Sequence, residues 1–207
     1  VAFNMHGISR ESVALMQTPY PDTFVFTPAR DSFDYIYTWD KLANLAGKKL
    51  HSKRNHIARF EERHDWRYET ITEENIHECA QMHAKWCELN DIEHDKGLQD
   101  EAFAVHSSLH HFFDLDYIGG LIRADGEVVA FTIGEKVTDQ MVIVHIEKAY
   151  YNIQGAYPII KAEFVRNSCQ GYLYINREED MGEEGLRKAK LSYQPDILYE
   201  KYFAKLQ

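Results

Sequence analysis

The stretch Gly119–Ala149, GGLIRADGEVVAFTIGEKVTDQMVIVHIEKA, decides the fold of this 207-residue chain. Its Asp125-Gly126 pair is a strong short hairpin signal, because both central residues of a type I′ turn need positive φ. Gly119–Ala124 and Glu127–Glu135 therefore read as two strands joined by that turn. Met141–Ala149 reads as a third, and VIVHIEKA is too apolar to lie at an edge.

Working outward, Trp66–Ile71 reads as a strand, followed by a helix from an N-cap at Thr72 to about Asn90. Glu73 and Glu74 suit that helix's first turn, and Ile76, Ala80, His83 and Cys87 fall on one face at steps of three and four. A second helix follows around Leu98–Phe113. Beyond the three strands come a helix at Gln154–Asn167 with Pro158 in its first turn, a strand at Tyr172–Asn176, a short helix at Gly182–Ala189 and a last strand at Ile197–Phe203. Two helices before a three-strand meander, then alternating helix and strand, is not a doubly wound order. It reads as an α+β fold around a mixed sheet.

Upstream, residues 1–37 hold Pro19, Pro21 and Pro28, three of the five prolines, and read as an irregular lead-in. Phe24–Phe26 and Phe33–Tyr37 look like short strands, Asp40–Ala46 like a short helix closed by Gly47, and about Lys48–His64 like a basic helix.

The chain carries a net charge of −10, unevenly spread: −3 over residues 1–40, +6 over 41–60 and −9 over 61–101. GKKLHSKRNHIARF (Gly47–Phe60) is the positive patch, anchored by Leu50, Ile57 and Phe60 at helical spacing. Its Lys53, Arg54 and Arg59 are candidates for phosphate binding, whereas the acidic remainder argues against indiscriminate nucleic-acid binding. At 44% hydrophobic and 13% aromatic residues the chain is no disordered tail, and no apolar run approaches the ~20 residues of a membrane span. A soluble, cytoplasmic protein is expected. Cys79, Cys87 and Cys169 lack metal-ligand spacing and read as reduced thiols. His106, His110 and Asp114 share a helix face, but the neighbouring Leu109, Phe112 and Phe113 read as ordinary packing, so no metal is expected.

Two segments narrow the reading. LAGKKLHSKRNHIARF (Leu45–Phe60) and YINREEDMGEEGLRKAKLSYQP (Tyr174–Pro195) closely resemble members of the DUF2156 family, similar to the C-terminal catalytic domain of phosphatidylglycerol lysyltransferase. The element order in turn resembles the GNAT (Gcn5-related N-acetyltransferase) fold. The resemblance implies a GNAT-like mixed sheet flanked by helices. It also implies a division into residues 1–40 as the tail of a first GNAT-like half, 41–65 as a basic connecting helix and 66–207 as a GNAT-like domain. The activity it implies is transfer of an aminoacyl group from aminoacyl-tRNA to a hydroxyl or amine, on a small molecule or a lipid head group. An acyl-CoA-dependent N-acyltransferase and a non-catalytic GNAT-like binding module are the alternatives.

In GNAT enzymes a helix opens with [Q/R]-x-x-G-x-[G/A], whose backbone N–H groups hold the acyl-CoA pyrophosphate. The corresponding stretch here is Asn152–Tyr157, in which Gly155, followed by Ala156, is the match, while Asn152 and Tyr157 depart from it. A tyrosine would crowd that backbone, so no acyl-CoA cofactor is expected. Aminoacyl transfer needs a base for the acceptor, donors for the ester oxyanion and a carboxylate for the donor's α-ammonium. Glu147 ends the central strand and alternation puts His145 on its face, so either could be the base, with Lys148 pointing oppositely. Asn176, Glu178 and Asp180 end the next strand as candidates for carbonyl polarisation and ammonium binding, and Arg177, Lys188 and Lys190 for carboxylate or phosphate binding. A helix-capping loop is the competing reading of that cluster.

Overall fold

The structure, a computed structural model, describes residues 3–207. The chain forms two compact units, one from residues 38–175 and the other from residues 1–37 with 176–207.

In the unit of residues 1–37 and 176–207, the lead-in is more ordered than its prolines suggest. β1 (Asn4–Ser9) runs into α1 (Arg10–Gln17), whose N-cap Ser9 accepts a hydrogen bond from the Ser12 N–H. β2 (Phe24–Pro28) follows. The last strand of the sequence reading divides into β9 (Ile197–Tyr199) and β10 (Lys201–Leu206). β10 lies between β1 and β2, antiparallel to both, while β9 pairs antiparallel with β3 (Asp34–Thr38). The helix expected at Gly182–Ala189 is α7 (Glu184–Leu191).

In the unit of residues 38–175, α2 (Trp39–Asn44) ends at Leu45, itself left-handed at φ 51°. A 3-10 turn at Lys48–Leu50 leads into the basic α3 (His51–Arg63), which buries Ile57 and Phe60. β4 (Trp66–Thr70) is followed by α4 (Ile76–Leu89). Thr72 does not cap α4: residues 72–75 form a turn closed by the Asn75 side chain, which accepts from the Thr72 N–H at 2.8 Å. Starting four residues later, the helix buries Cys79, Met82, His83 and Trp86; Ala80 is exposed, and Ile76 and Cys87 are half-buried. α5 (Lys96–His110) is capped by Asp95, whose side chain accepts from the Leu98 N–H.

β5 (Ile118–Ala124) and β6 (Glu127–Lys136) form the expected hairpin, with Asp125 and Gly126 at φ 53° and 90°. β7 (Met141–Ala149) spans the predicted residues and lies inside the order β4-β5-β6-β7-β8, with β8 at Tyr174–Asn176. The register of β6 on β7 shifts between Ile133–Ile146 and Gly134–Val144, which makes His145 the extra residue of a bulge. α6 (Ala156–Ser168) has Pro158 in its first turn and buries Ile159, Ile160, Phe164 and Val165. Consecutive strand residues point to opposite faces. Glu147 reaches Lys161 of α6 whereas Lys148 reaches Trp86 of α4 and Glu101 of α5, so helices cover both faces of this sheet. The fold is α+β, a GNAT-like mixed sheet flanked by helices.

Candidate functional site

At the end of β7 two charged residues face opposite ways, and each is buried with a partner. The Glu147 carboxylate lies 3.2 Å from the Lys161 ammonium, with side chains 11% and 7% exposed. Lys161 sits on the second turn of α6, facing the sheet. Tyr157 lies on the first turn of the same helix and is half-buried. Burial, then the nearby Glu147 charge, raises the phenol above its ordinary pKa and keeps it protonated.

Lys148, read from the sequence only as pointing away from Glu147, is the residue that reading missed. Its Nζ lies 3.7 Å from the centre of the Trp86 ring and 2.8 Å from Glu101 Oε1, and its side chain is 4% exposed. A cation on an indole face is held by the ring quadrupole, more strongly when desolvated. Burial lowers the Lys148 pKa against the opposing pull of Glu101. The same burial, and the Lys148 charge after it, lowers His83, whose ring stacks beside Trp86 with centroids 6.0 Å apart. Trp86 thus carries the Lys148 ammonium on its ring plane.

His145, pushed out by the bulge, has Nε2 3.0 Å from Glu135 and its ring 5.6 Å from that of Tyr117. Gly155, at φ 96°, directly precedes α6. A Cβ there would lie 2.5 Å from the His56 carbonyl oxygen and 2.8 Å from Phe60 Cβ, so the glycine lets α3 press onto the start of α6. The buried Ala156 follows it.

The basic helix is divided in its duties. The Arg54 guanidinium donates to the carbonyls of Leu45 and of Gly47 (2.9 Å to the latter), closing the end of α2, and so is committed to backbone and not to phosphate. Lys48, Lys49 and Arg59 are exposed and Lys53 half-buried. His56 and Arg63 reach Gln154 at 3.4 and 3.3 Å, which sets this helix against the loop before α6.

In the other unit, the predicted cluster at residues 176–190 forms a tightly bonded knot. Asp180 is fully buried. Its Oδ2 accepts from Tyr35 (2.5 Å), Arg187 Nε (2.9 Å) and Arg30 (3.2 Å), and Oδ1 from Arg187 Nη2 (2.8 Å) and the Gly182 N–H (3.0 Å). Arg187, chiefly, holds its carboxyl far below the ordinary value. With both oxygens fully engaged, Asp180 has no lone pair for a substrate ammonium. Asn176 is engaged too: its amide donates to Asp34 at 3.0 Å and its oxygen accepts the Glu178 N–H at 2.8 Å. Lys190 is no surface phosphate ligand. It is buried and donates to the carbonyls of Arg177, Glu178 and Glu179 at 2.5, 3.1 and 2.5 Å. Arg177 is buried, with its guanidinium 5.9 and 5.7 Å from the Tyr37 and Tyr193 ring centres. Glu178 is half-buried at φ 53°, and Lys188 is exposed. No side chain caps α7, so the helix-capping reading does not describe this cluster, which is held instead by bonds among its own side chains and backbone.

The mixed sheet and its flanking helices define a GNAT-like α+β fold. The chain belongs to the family described as phosphatidylglycerol lysyltransferase, C-terminal, whose model matches residues 1–205. It is similar to a conserved protein of unknown function from Bacteroides thetaiotaomicron, with 43% identity and a TM-score of 0.94, covering 100% of this chain and 70% of that one. The fold also matches the C-terminal domain (DUF2156) of a putative lysylphosphatidylglycerol synthetase from Agrobacterium fabrum, with 12% identity and a TM-score of 0.70 over 100% and 68% of the two chains. An uncharacterised protein of Mycoplasmoides gallisepticum is 23% identical over 184 residues, 84% of this chain; the chain spans 56% of that relative's length. Among the described residues no helix is long and apolar enough to cross a membrane.

Proposed function

We propose that this protein is an aminoacyltransferase that moves an aminoacyl group from aminoacyl-tRNA to a hydroxyl or amine acceptor. One observation carries the reading: a family named for lysyl transfer to phosphatidylglycerol matches nearly the whole chain. The strand end supports the chemistry. Glu147, 3.2 Å from the Lys161 ammonium, accepts the proton of the acceptor as it attacks the ester carbonyl. The exposed Lys48, Lys49 and Arg59 of the basic segment, against the loop before α6, suit the phosphates of the donor RNA. No step of this reading runs through acyl-CoA.

The test is transfer of radiolabel from a mixture of charged tRNAs to phosphatidylglycerol micelles and to soluble amines, with acetyl-CoA as the competing donor. Label moving to either acceptor from tRNA supports the reading. Acetyl transfer without aminoacyl transfer would replace it with the N-acyltransferase, and silence from every donor with the binding module.

A further inference from the structure

We infer that the cleft between the start of α2 and the C-terminal end of α6 is a binding site for a nucleobase, stacked on Trp39 and Tyr172 and held at its edge by Arg166 and Gln170. The site is separate from the strand end that carries Glu147, and the inference does not depend on the aminoacyl-transfer reading.

The cleft holds about 460 Å³ and is lined by Trp39, Arg166, Gln170, Gly171, Tyr172 and Leu173. Small-molecule sites span roughly 300–1,000 Å³ and pair aromatic and apolar walls with a few placed polar groups. These walls are fixed by bonds within the unit of residues 38–175. Trp39 donates through its backbone N–H to the Leu173 carbonyl and through its indole N–H to the Val165 carbonyl, both at 2.9 Å. Arg166 Nε donates to the Ala43 carbonyl at 2.7 Å and Nη1 to Glu163 at 2.6 Å, so the guanidinium is anchored to α2 and Nη2 is left over. Gln170 Nε2 donates to the Arg166 carbonyl at 2.9 Å, and its amide oxygen makes no bond among the described residues. At Gly171 an added Cβ would meet nothing within 4 Å, so the cleft opens to solvent there.

The chemistry of the lining selects the ligand. Two half-buried aromatic rings and a Leu173 that is 50% exposed suit a flat ring. A bare anion is disfavoured, because Glu163 already pairs with Arg166 and the C-terminal end of α6 carries the negative pole of the helix dipole. What remains is one donor, Arg166 Nη2, and one acceptor, Gln170 Oε1, on residues bonded to each other. Nucleobase edges present a donor beside an acceptor, and arginine and glutamine are regular readers of purine edges. Stacking on the rings supplies the affinity.

The cleft lies away from the transfer site. The N–H groups of Leu173 and Tyr174 donate to the Gln140 carbonyl, in the turn before β7. Gln140 precedes Glu147 by seven residues, about 20 Å of extended strand.

The experiment titrates the protein with AMP, a short oligoadenylate, ribose 5-phosphate and N-acetyltryptophanamide, followed by calorimetry and tryptophan fluorescence. AMP or the oligoadenylate should bind saturably and quench the fluorescence; AMP binding assigns a free nucleotide, and oligoadenylate binding alone assigns a base in an RNA strand. Trp39→Phe should keep binding within a few fold while losing the quench, which places the base on that ring. Tyr172→Leu should weaken binding about 5- to 150-fold, the loss expected of one base–aromatic stack. Gln170 is exposed, so Gln170→Ala, with a several-fold loss and an unchanged melting temperature, keeps the test decisive where Tyr172→Leu lowers stability. No saturable binding of either adenylate, equal binding of ribose 5-phosphate, or affinity untouched by both Tyr172→Leu and Gln170→Ala would overturn the inference. Tighter binding of N-acetyltryptophanamide would overturn it in favour of an aromatic side chain of a partner.

Discussion

Replacing Asp180 by Asn should cost stability heavily and leave the chemistry at β7 untouched by any direct effect. The amide keeps one oxygen for Arg187 Nη2 and the Gly182 N–H. In place of Oδ2 it turns an NH2 toward Tyr35, Arg187 Nε and Arg30, three donors that lose their acceptor together. Hydrogen bonds to charged groups contribute about 1.5–3 kcal/mol each. Arg30 and Arg187 are 37% and 31% exposed at their side chains, so water recovers part of that. The net expectation is about 3–5 kcal/mol, the usual cost of removing one partner of a buried ion pair. For a chain of this size that is roughly 6–20 °C in thermal midpoint. The carboxyl's folded pKa is depressed chiefly by Arg187, so its stabilisation is complete above its unfolded value near 4 and is lost as pH falls below it. Urea titrations of both proteins should therefore show a constant gap from pH 7 to about 5, narrowing by up to about 1.4 kcal/mol per pH unit further down. A variant with the wild-type urea midpoint at pH 7, or a gap that ignores acid, would refute the account of Asp180 as the centre of a structural knot.

Other perturbations separate structure from chemistry in the same way. Glu147→Gln should lower aminoacyl transfer by about 10²–10⁴-fold, and the double change with Lys161→Met should recover stability in urea without recovering activity. Gly155→Ala meets φ 96° and the His56 carbonyl at once; about 1–2 kcal/mol from the backbone alone is a minimum, read as a lower melting temperature. Lys190→Met strands the carbonyls of Arg177, Glu178 and Glu179; a loss of at least ~3 kcal/mol in urea is expected, and a neutral result would show that water satisfies them.

How much of this was legible depended on how local the deciding interaction was. The hairpin at Asp125-Gly126 and the buried strand Met141–Ala149 follow from residues adjacent in sequence, and both form where expected. The stripe on α4 was misread because the helix starts at Ile76, past the acidic turn, which rotates Cys79, Met82 and Trp86 inward and Ala80 out. β1 could not be read at all: NMHGIS has little apolar patterning and is a strand because β10, from the far end of the chain, pairs with it. Asn176–Asp180 looked catalytic because polar residues at a strand end gather at sites. The partners that occupy them, Arg30, Asp34 and Tyr35, come from much earlier in the chain.

Lys148 is the instructive case, since both premises were in the sequence. A strand too apolar for an edge, with helices expected around the sheet, buries both faces, and so buries Lys148 as well as the neighbouring Glu147. A buried ammonium is tolerated only with partners that repay its lost hydration. That reasoning calls for an acid and an aromatic face on the covering helices without saying which. Glu101 and Trp86 are the residues that meet it. Glu147 on the opposite face is matched by Lys161 in the same manner. A central strand that ends in two oppositely charged residues, each paired with a helix residue on its own face, keeps each buried charge beside its own counter-charge.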